Sequence, residues 1–220
     1  MLGKELLAYV DHTLLRPTAT WDDIKEVCDD GIRYKTASVC IPPDFVASAH
    51  EAYPELNICT VIGFPLGYET TEVKVAETKQ AIEEGASEID MVINIGELKA
   101  GNDDAVVADI KAVADATHEK GKLLKVIIEN ALLTDEEKAR ASKLTVKGDA
   151  DFVKTSTGFS TSGAKVDDVK IMREAVGPDF KIKAAGGIHS LQEAYDMIEA
   201  GANRLGVSAS VQILEEAAKQ

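Results

Sequence analysis

A single-domain (β/α)8 barrel spanning residues 1–220 is the fold this sequence predicts, on three observations. Short runs rich in β-branched residues recur with helix-patterned stretches between them, the alternation that builds parallel βαβ units. Helical stretches end at glycine, in Glu84-Gly85-Ala86, Lys147-Gly148-Asp149 and Ala200-Gly201-Ala202, and a strand-like run starts within a few residues. Eight such units fit the 220 residues, with no proline- or serine-rich linker and no second domain. A doubly wound fold would place a glycine-rich turn after its first strand, where this chain has Asp11-His12-Thr13-Leu14.

In chain order, a first strand is expected around Tyr9 to Thr13, before a helix beginning near Thr20. Seven clearer strands follow at 36–41, 58–63, 88–95, 123–129, 151–155, 181–185 and 203–208. Between the second and third of these, 71–84 (TEVKVAETKQAIEE) has Val75, Thr78, Ala81 and Ile82 on one side of a helix. Thr134-Asp135-Glu136-Glu137 and Ser190-Leu191-Gln192-Glu193 read as capping boxes that start two later helices.

Charge narrows the partners. With 38 acidic and 24 basic residues the net charge is −14, which disfavours nucleic acid and anionic membranes as partners. No apolar run approaches the roughly 18 residues of a membrane span, and the N-terminus does not read as a signal peptide, so the cytoplasm is the expected compartment. Cys28, Cys40 and Cys59 are odd in number and form no C-x-x-C, so neither a disulfide framework nor a zinc site is expected. The four histidines show no metal-ligand spacing, and neither a metal nor a cofactor is expected.

Chemistry in such a barrel sits at the C-terminal ends of the strands. There the sequence places groups that a core would reject: Asp90, Lys125, Glu129, Lys154 and Lys183. Positions 125, 154 and 183 are each 29 residues apart, so three neighbouring strands are expected to aim lysines at similar height. Clustering and burial both disfavour an ammonium, and an amine freed of its proton attacks carbonyls to form an imine. The alternative is that each lysine is a surface or rim residue paired with an acid. Spacing leaves open which of the three reacts. Gly186-Gly187-Ile188 and Gly206-Val207-Ser208-Ala209-Ser210 follow the last two strands, where these barrels bind phosphate, with Thr157-Gly158 closing the site from the neighbouring strand.

Taken together, DFVKTSTGF, KIKAAGGI, EIDMVINIGELKAG, LKVIIENALLTDEEK and TVIGFPLG…TTEVKVAE resemble the deoxyribose-phosphate aldolases, from about Asp11 to Ser210. The resemblance implies a metal-independent aldolase that cleaves 2-deoxy-D-ribose 5-phosphate to acetaldehyde and D-glyceraldehyde 3-phosphate. It implies Lys154 as the imine-forming lysine, Lys183 as the lysine that perturbs it and Asp90 as proton donor and acceptor. It also implies Gly158, Gly186, Gly187, Gly206 and Ser208 around the phosphate, with Lys125, Asp11, Thr157 and Cys40 flanking. A homodimer is the family's common habit. Departures include His189 where GGIR is frequent, Asn130-Ala131 for Thr-Cys, and an ending EEAAKQ without a terminal tyrosine. One rival reading is a sugar-phosphate isomerase or epimerase using Asp90 or Glu129 as base. Another is a phosphosugar-binding barrel without turnover.

Overall fold

In a computed structural model, which describes residues 3–208 and 211–218, eight parallel strands close into a barrel in the order β1 to β8, with β8 pairing back onto β1. The strands are β1 (Val10–Thr13), β2 (Ser38–Cys40), β3 (Ile58–Ile62), β4 (Glu88–Val92), β5 (Leu123–Ile127), β6 (Phe152–Lys154), β7 (Lys181–Ala185) and β8 (Arg204–Ser208). The expected first strand is present, and most of the others are a residue or more shorter than their apolar runs. Ala209 and Ser210, expected in the last phosphate loop, lie outside the described residues.

Among the described residues ten α-helices accompany the strands: α1 (Gly3–Leu7), α2 (Trp21–Tyr34), α3 (Val46–Ala52), α4 (Thr71–Glu83), α5 (Ile95–Lys99), α6 (Asp103–His118), α7 (Asp135–Lys147), α8 (Val166–Val176), α9 (Leu191–Glu199) and α10 (Val211–Ala218). Their starts follow local chemistry. Thr134 and Ser190 form the expected capping boxes, and Thr20 forms a third with Asp23. On α2, Ile24, Val27, Cys28, Gly31 and Tyr34 are buried, a helical stripe facing the sheet. Such side chains, packed between helices and the outer strand face, form one continuous apolar core. Burial of a residue like Ile24, which is fully enclosed, contributes about 1.5–3 kcal/mol.

Two readings of the helices change in the structure. Gly148 does not take the left-handed turn: its φ is −76°, and Asp149 adopts φ +64° instead. Glycine is needed there for space, because a Cβ would stand 2.4 Å from Ile110 Cγ2. On α4 the buried positions are Lys74, Thr78 and Ala81, with Val75 and Ile82 only partly buried. Lys74 is fully enclosed and donates to Asp109 Oδ2 at 2.6 Å on α6 and to Val92 O at 3.0 Å at the end of β4. Thr71 Oγ1 holds the other carboxylate oxygen. This buried pair ties two helices to a strand that carries the site. Lys74→Met, leaving Asp109 uncompensated, is expected to cost about 3–5 kcal/mol. Lys74→Met with Asp109→Leu should recover most of it, as measured by urea unfolding.

Candidate active site

Alternation along short strands decides what enters the barrel. Asp11, Ser38, Cys59, Glu88, Asp90, Lys125, Lys154, Lys183 and Arg204 meet one another in its interior, which is polar where the outer core is apolar. Lys154 and Lys183 are partners across β6 and β7, so they stand at one height. Lys125 pairs with Phe152, one inward position below Lys154, and across β4 with Asp90. The three lysines are therefore not level, as their even spacing suggested, yet all three reach the same carboxylate.

Asp90 is the hub. Its Oδ2 accepts from Lys154 Nζ at 2.7 Å and Lys183 Nζ at 2.8 Å. Its Oδ1 accepts from Lys125 Nζ at 2.8 Å and Cys59 Sγ at 3.3 Å. Beneath it Arg204 bridges Asp11 Oδ1 at 2.6 Å and Glu88 Oε2 at 3.1 Å. Lys125 also reaches Glu88 Oε2 at 2.6 Å, Lys183 bonds Asp11 Oδ2, and Ser38 Oγ donates to Asp11 Oδ1 at 2.7 Å. Glu88 is further held by Asn57 at 2.7 Å. Four cations (Lys125, Lys154, Lys183, Arg204) thus share a largely buried interior with three carboxylates, Asp11, Glu88 and Asp90.

Burial alone would raise Asp90, but Lys125, Lys154 and Lys183 outweigh it and hold the carboxyl well below its usual 3.8. Asp11 is lowered in the same way, against burial, by Lys183, Lys125 and Arg204. The sequence expectation that clustering depresses the lysines is overturned for two of them. Burial pulls Lys125 and Lys183 down, but the carboxylates raise both above the ordinary lysine value. They remain ammonium ions because three carboxylates, Asp11, Glu88 and Asp90, face them.

Above this floor opens a cavity of about 270 Å³, lined by Thr13, Leu14, Leu15, Arg16, Lys154, Thr157, Gly158, Phe159, Ala185, Gly186, Gly206 and Ser208. Two glycines at or beside it leave no room for side chains: a Cβ on Gly163 would stand 2.3 Å from the Gly186 carbonyl, and one on Gly206, within β8, 2.8 Å from Ala185 Cβ. Glu129, in the left-handed region at φ +53°, accepts from the N–H of Thr157 at 3.2 Å and from its hydroxyl, fixing the loop after Lys154. Burial raises the Glu129 carboxyl despite those bonds. At the rim Phe64 and Phe159 meet edge to face, ring centres 5.3 Å apart.

Set beside known proteins, the chain finds relatives along nearly its whole length. A model of the DeoC/LacD family of aldolases matches residues 6–215. The chain belongs to this family. The deoxyribose-phosphate aldolase of Geobacillus sp. (strain WCH70) is 55% identical over 217 residues, 97% of this chain and 96% of that protein. That of Thermococcus gammatolerans is 52% identical over 221 residues, 99% of this chain and 98% of that one. The crystallised deoxyribose phosphate aldolase of Aeropyrum pernix, described as a tetramer, superposes with a TM-score of 0.90 at 30% identity, covering 97% of this chain and 91% of that one.

For this aldolase the geometry sorts the expected residues. Lys154, Thr157, Gly158, Gly186, Gly206 and Ser208 line the cavity, while Lys183, Asp90, Lys125, Asp11 and Cys40 lie in the barrel interior. Gly187 is not among the lining residues, and the exposed His189 presents its N–H to Glu193 rather than to the cavity. Cys40 is fully buried, with Cys59 and Val61, against Leu15 and Phe64. Two groups of ligand-type atoms, Cys40–Cys59–Asp90 and Asp11–Cys59–Glu88, lie within 4.8 Å, but their carboxylates are already engaged by lysine or arginine. Glu88, Ser38, Asn57 and Arg204 were not anticipated. Glu88 and Arg204 each begin a strand two positions before an expected site residue, Asp90 and Gly206, the parity signal that would have found them.

Proposed function

We propose that this aldolase is metal-independent and reversibly cleaves 2-deoxy-D-ribose 5-phosphate to acetaldehyde and D-glyceraldehyde 3-phosphate through an imine on Lys154. The observation that carries this is geometric. Among the four interior cations only Lys154 lines the cavity, and it shares one oxygen of Asp90 with a second lysine. The names of the relatives point to the same substrate.

Lys154 gives up its proton through the Asp90 relay and then, as a free amine, attacks C1 of the open-chain aldehyde, and the resulting carbinolamine loses its oxygen as water to leave a protonated imine. Removal of the C3 hydroxyl proton then lets the C2–C3 bond break. Its electron pair becomes the enamine double bond, and the iminium nitrogen loses its charge. C3 departs as the aldehyde carbon of glyceraldehyde 3-phosphate. Protonation of C2 and addition of water release acetaldehyde and restore the amine. Asp90, a carboxylate in the resting site, enters as acceptor and relay, and Lys183 supplies the standing positive charge beside the reacting nitrogen. The glycine-lined loops at Gly158, Gly186 and Gly206 receive the phosphate.

Incubation with acetaldehyde and borohydride should leave a reduced adduct on the peptide 151–159, located by mass mapping. An adduct elsewhere would remove Lys154 from the role. The absence of any adduct together with isomerised substrate would favour the isomerase reading. Self-association and a cytoplasmic location belong to the same proposal, and light scattering measures the first. No helix among the described residues is long and apolar enough to cross a membrane.

A further inference from the structure

Arg16 stands between two cavities. It lines the 270 Å³ site cavity with Lys154, Gly158, Gly186, Gly206 and Ser208. It also lines an adjoining space of about 150 Å³ that contains Asp23, Glu26 and Asp30. Its Nη2 rests 2.6 Å from Asp23 Oδ1, in a pair where the arginine side chain is 51% exposed. Exposed pairs of this kind are weakly held. Asp23 does not depend on the arginine, because its other oxygen accepts from the Thr20 N–H at 2.7 Å and the Thr20 hydroxyl at 2.8 Å. Those bonds, the Thr20 N–H above all, lower the carboxyl together with Arg16 itself, and the larger share comes from Thr20, which stays when the arginine leaves. The guanidinium can therefore leave Asp23 without opening the cap of α2 or stranding a buried charge.

Backbone N–H groups of the glycine-lined loops can receive a phosphate dianion, and a side-chain cation beside them adds a charge-assisted grip. Among the described lining residues only Lys154 and Arg16 carry positive charge, and Lys154 is committed to the carbonyl. Building on the proposed function, we infer that Arg16 is the specificity-determining residue for the phosphate, exchanging Asp23 for the substrate's phosphate oxygens when substrate binds. A planar guanidinium can grip two of those oxygens at once, which an ammonium cannot.

The test compares cleavage of 2-deoxyribose 5-phosphate with that of unphosphorylated 2-deoxyribose. Arg16→Gln should lower the ratio of their kcat/KM values roughly 10–100-fold, with the loss in KM for the phosphorylated substrate rather than in kcat. Arg16→Lys should fall between. Inorganic phosphate, as a competitive inhibitor, should weaken in step. His189→Gln, at an exposed position outside the cavity, serves as the comparison and should leave the ratio within twofold. A ratio and a phosphate inhibition constant unchanged in Arg16→Gln would overturn the inference and reduce the arginine to a partner of the helix cap. Failure of the parent protein to cleave either sugar would overturn the proposed function instead. Thermal melting of Arg16→Gln should match the parent, since Thr20 still holds Asp23.

Discussion

Lys154→Leu is expected to abolish turnover while leaving the protein folded and at least as stable as the parent. The chemical half of this expectation follows from the covalent role proposed for the amine. Removing a nucleophile of this kind costs on the order of 10⁵-fold in kcat, and no neighbouring amine can substitute. Lys183 and Lys125 are raised by the acids around them and lie outside the cavity. The structural half follows from charge. With Lys154 removed, Lys125, Lys183 and Arg204 face Asp11, Glu88 and Asp90, three against three, and every carboxylate keeps a cation. A shorter apolar side chain in this buried position then relieves the one uncompensated charge. Cleavage assays and circular dichroism melts on the same preparation test both halves. A large drop in melting temperature would show that Lys154 is a strut rather than a reagent.

Asp90→Asn should do the opposite to the fold and the same to the chemistry. Four buried cations would face two carboxylates, and the amide could accept from only some of the donors that now converge on Asp90. The expected cost is about 3–5 kcal/mol, or roughly 6–20 °C in melting temperature for a chain of this size. In the parent, Asp90 and Asp11 are lowered, so their stabilisation is fully present above the ordinary carboxylate value of 3.8. It is lost only as pH falls through the lower folded values. Lys125 and Lys183 are raised, so theirs is fully present below the ordinary 10.5 and lost as pH rises through the higher folded values. The parent should hold a broad plateau of stability between those limits. The variant interior, crowded with positive charge, releases a proton on folding, so its stability should climb with pH across the same range. Denaturant unfolding at several pH values distinguishes the two profiles, and a flat profile for the variant would contradict this electrostatic picture.

How much of this was readable in the sequence depends on the range of the interaction. Local rules found the strands, the capping boxes at Thr134 and Ser190 and the barrel itself, because each is written within a few residues. Even spacing of Lys125, Lys154 and Lys183 was misleading in one respect. Barrel closure staggers neighbouring strands, so equal separation along the chain does not mean equal height. Lys154 meets Lys183, whereas Lys125 meets Phe152. The pKa directions of Lys125 and Lys183 differ from the expectation because the carboxylates that raise them, Asp11, Glu88 and Asp90, come from strands far apart in sequence and meet only inside the closed barrel. Arg16 and Lys74 were missed for a related reason. Each sits at a position that reads as ordinary surface until a second element folds across it. The choice of Lys154 among the lysines came from resemblance, and the cavity supplies the physical ground for it.

The barrel's ionic interior and its apolar sheath also answer differently to cold and heat. Hydrophobic burial weakens on cooling, whereas the desolvation cost of buried ion pairs eases on warming. The apolar shell that holds the helices against the strands is therefore the layer that chilling loosens first. The linked charges of Asp11, Glu88, Asp90, Lys125, Lys183 and Arg204 gain relative strength as temperature climbs. The proposed site thus rests on the layer whose relative contribution grows on warming.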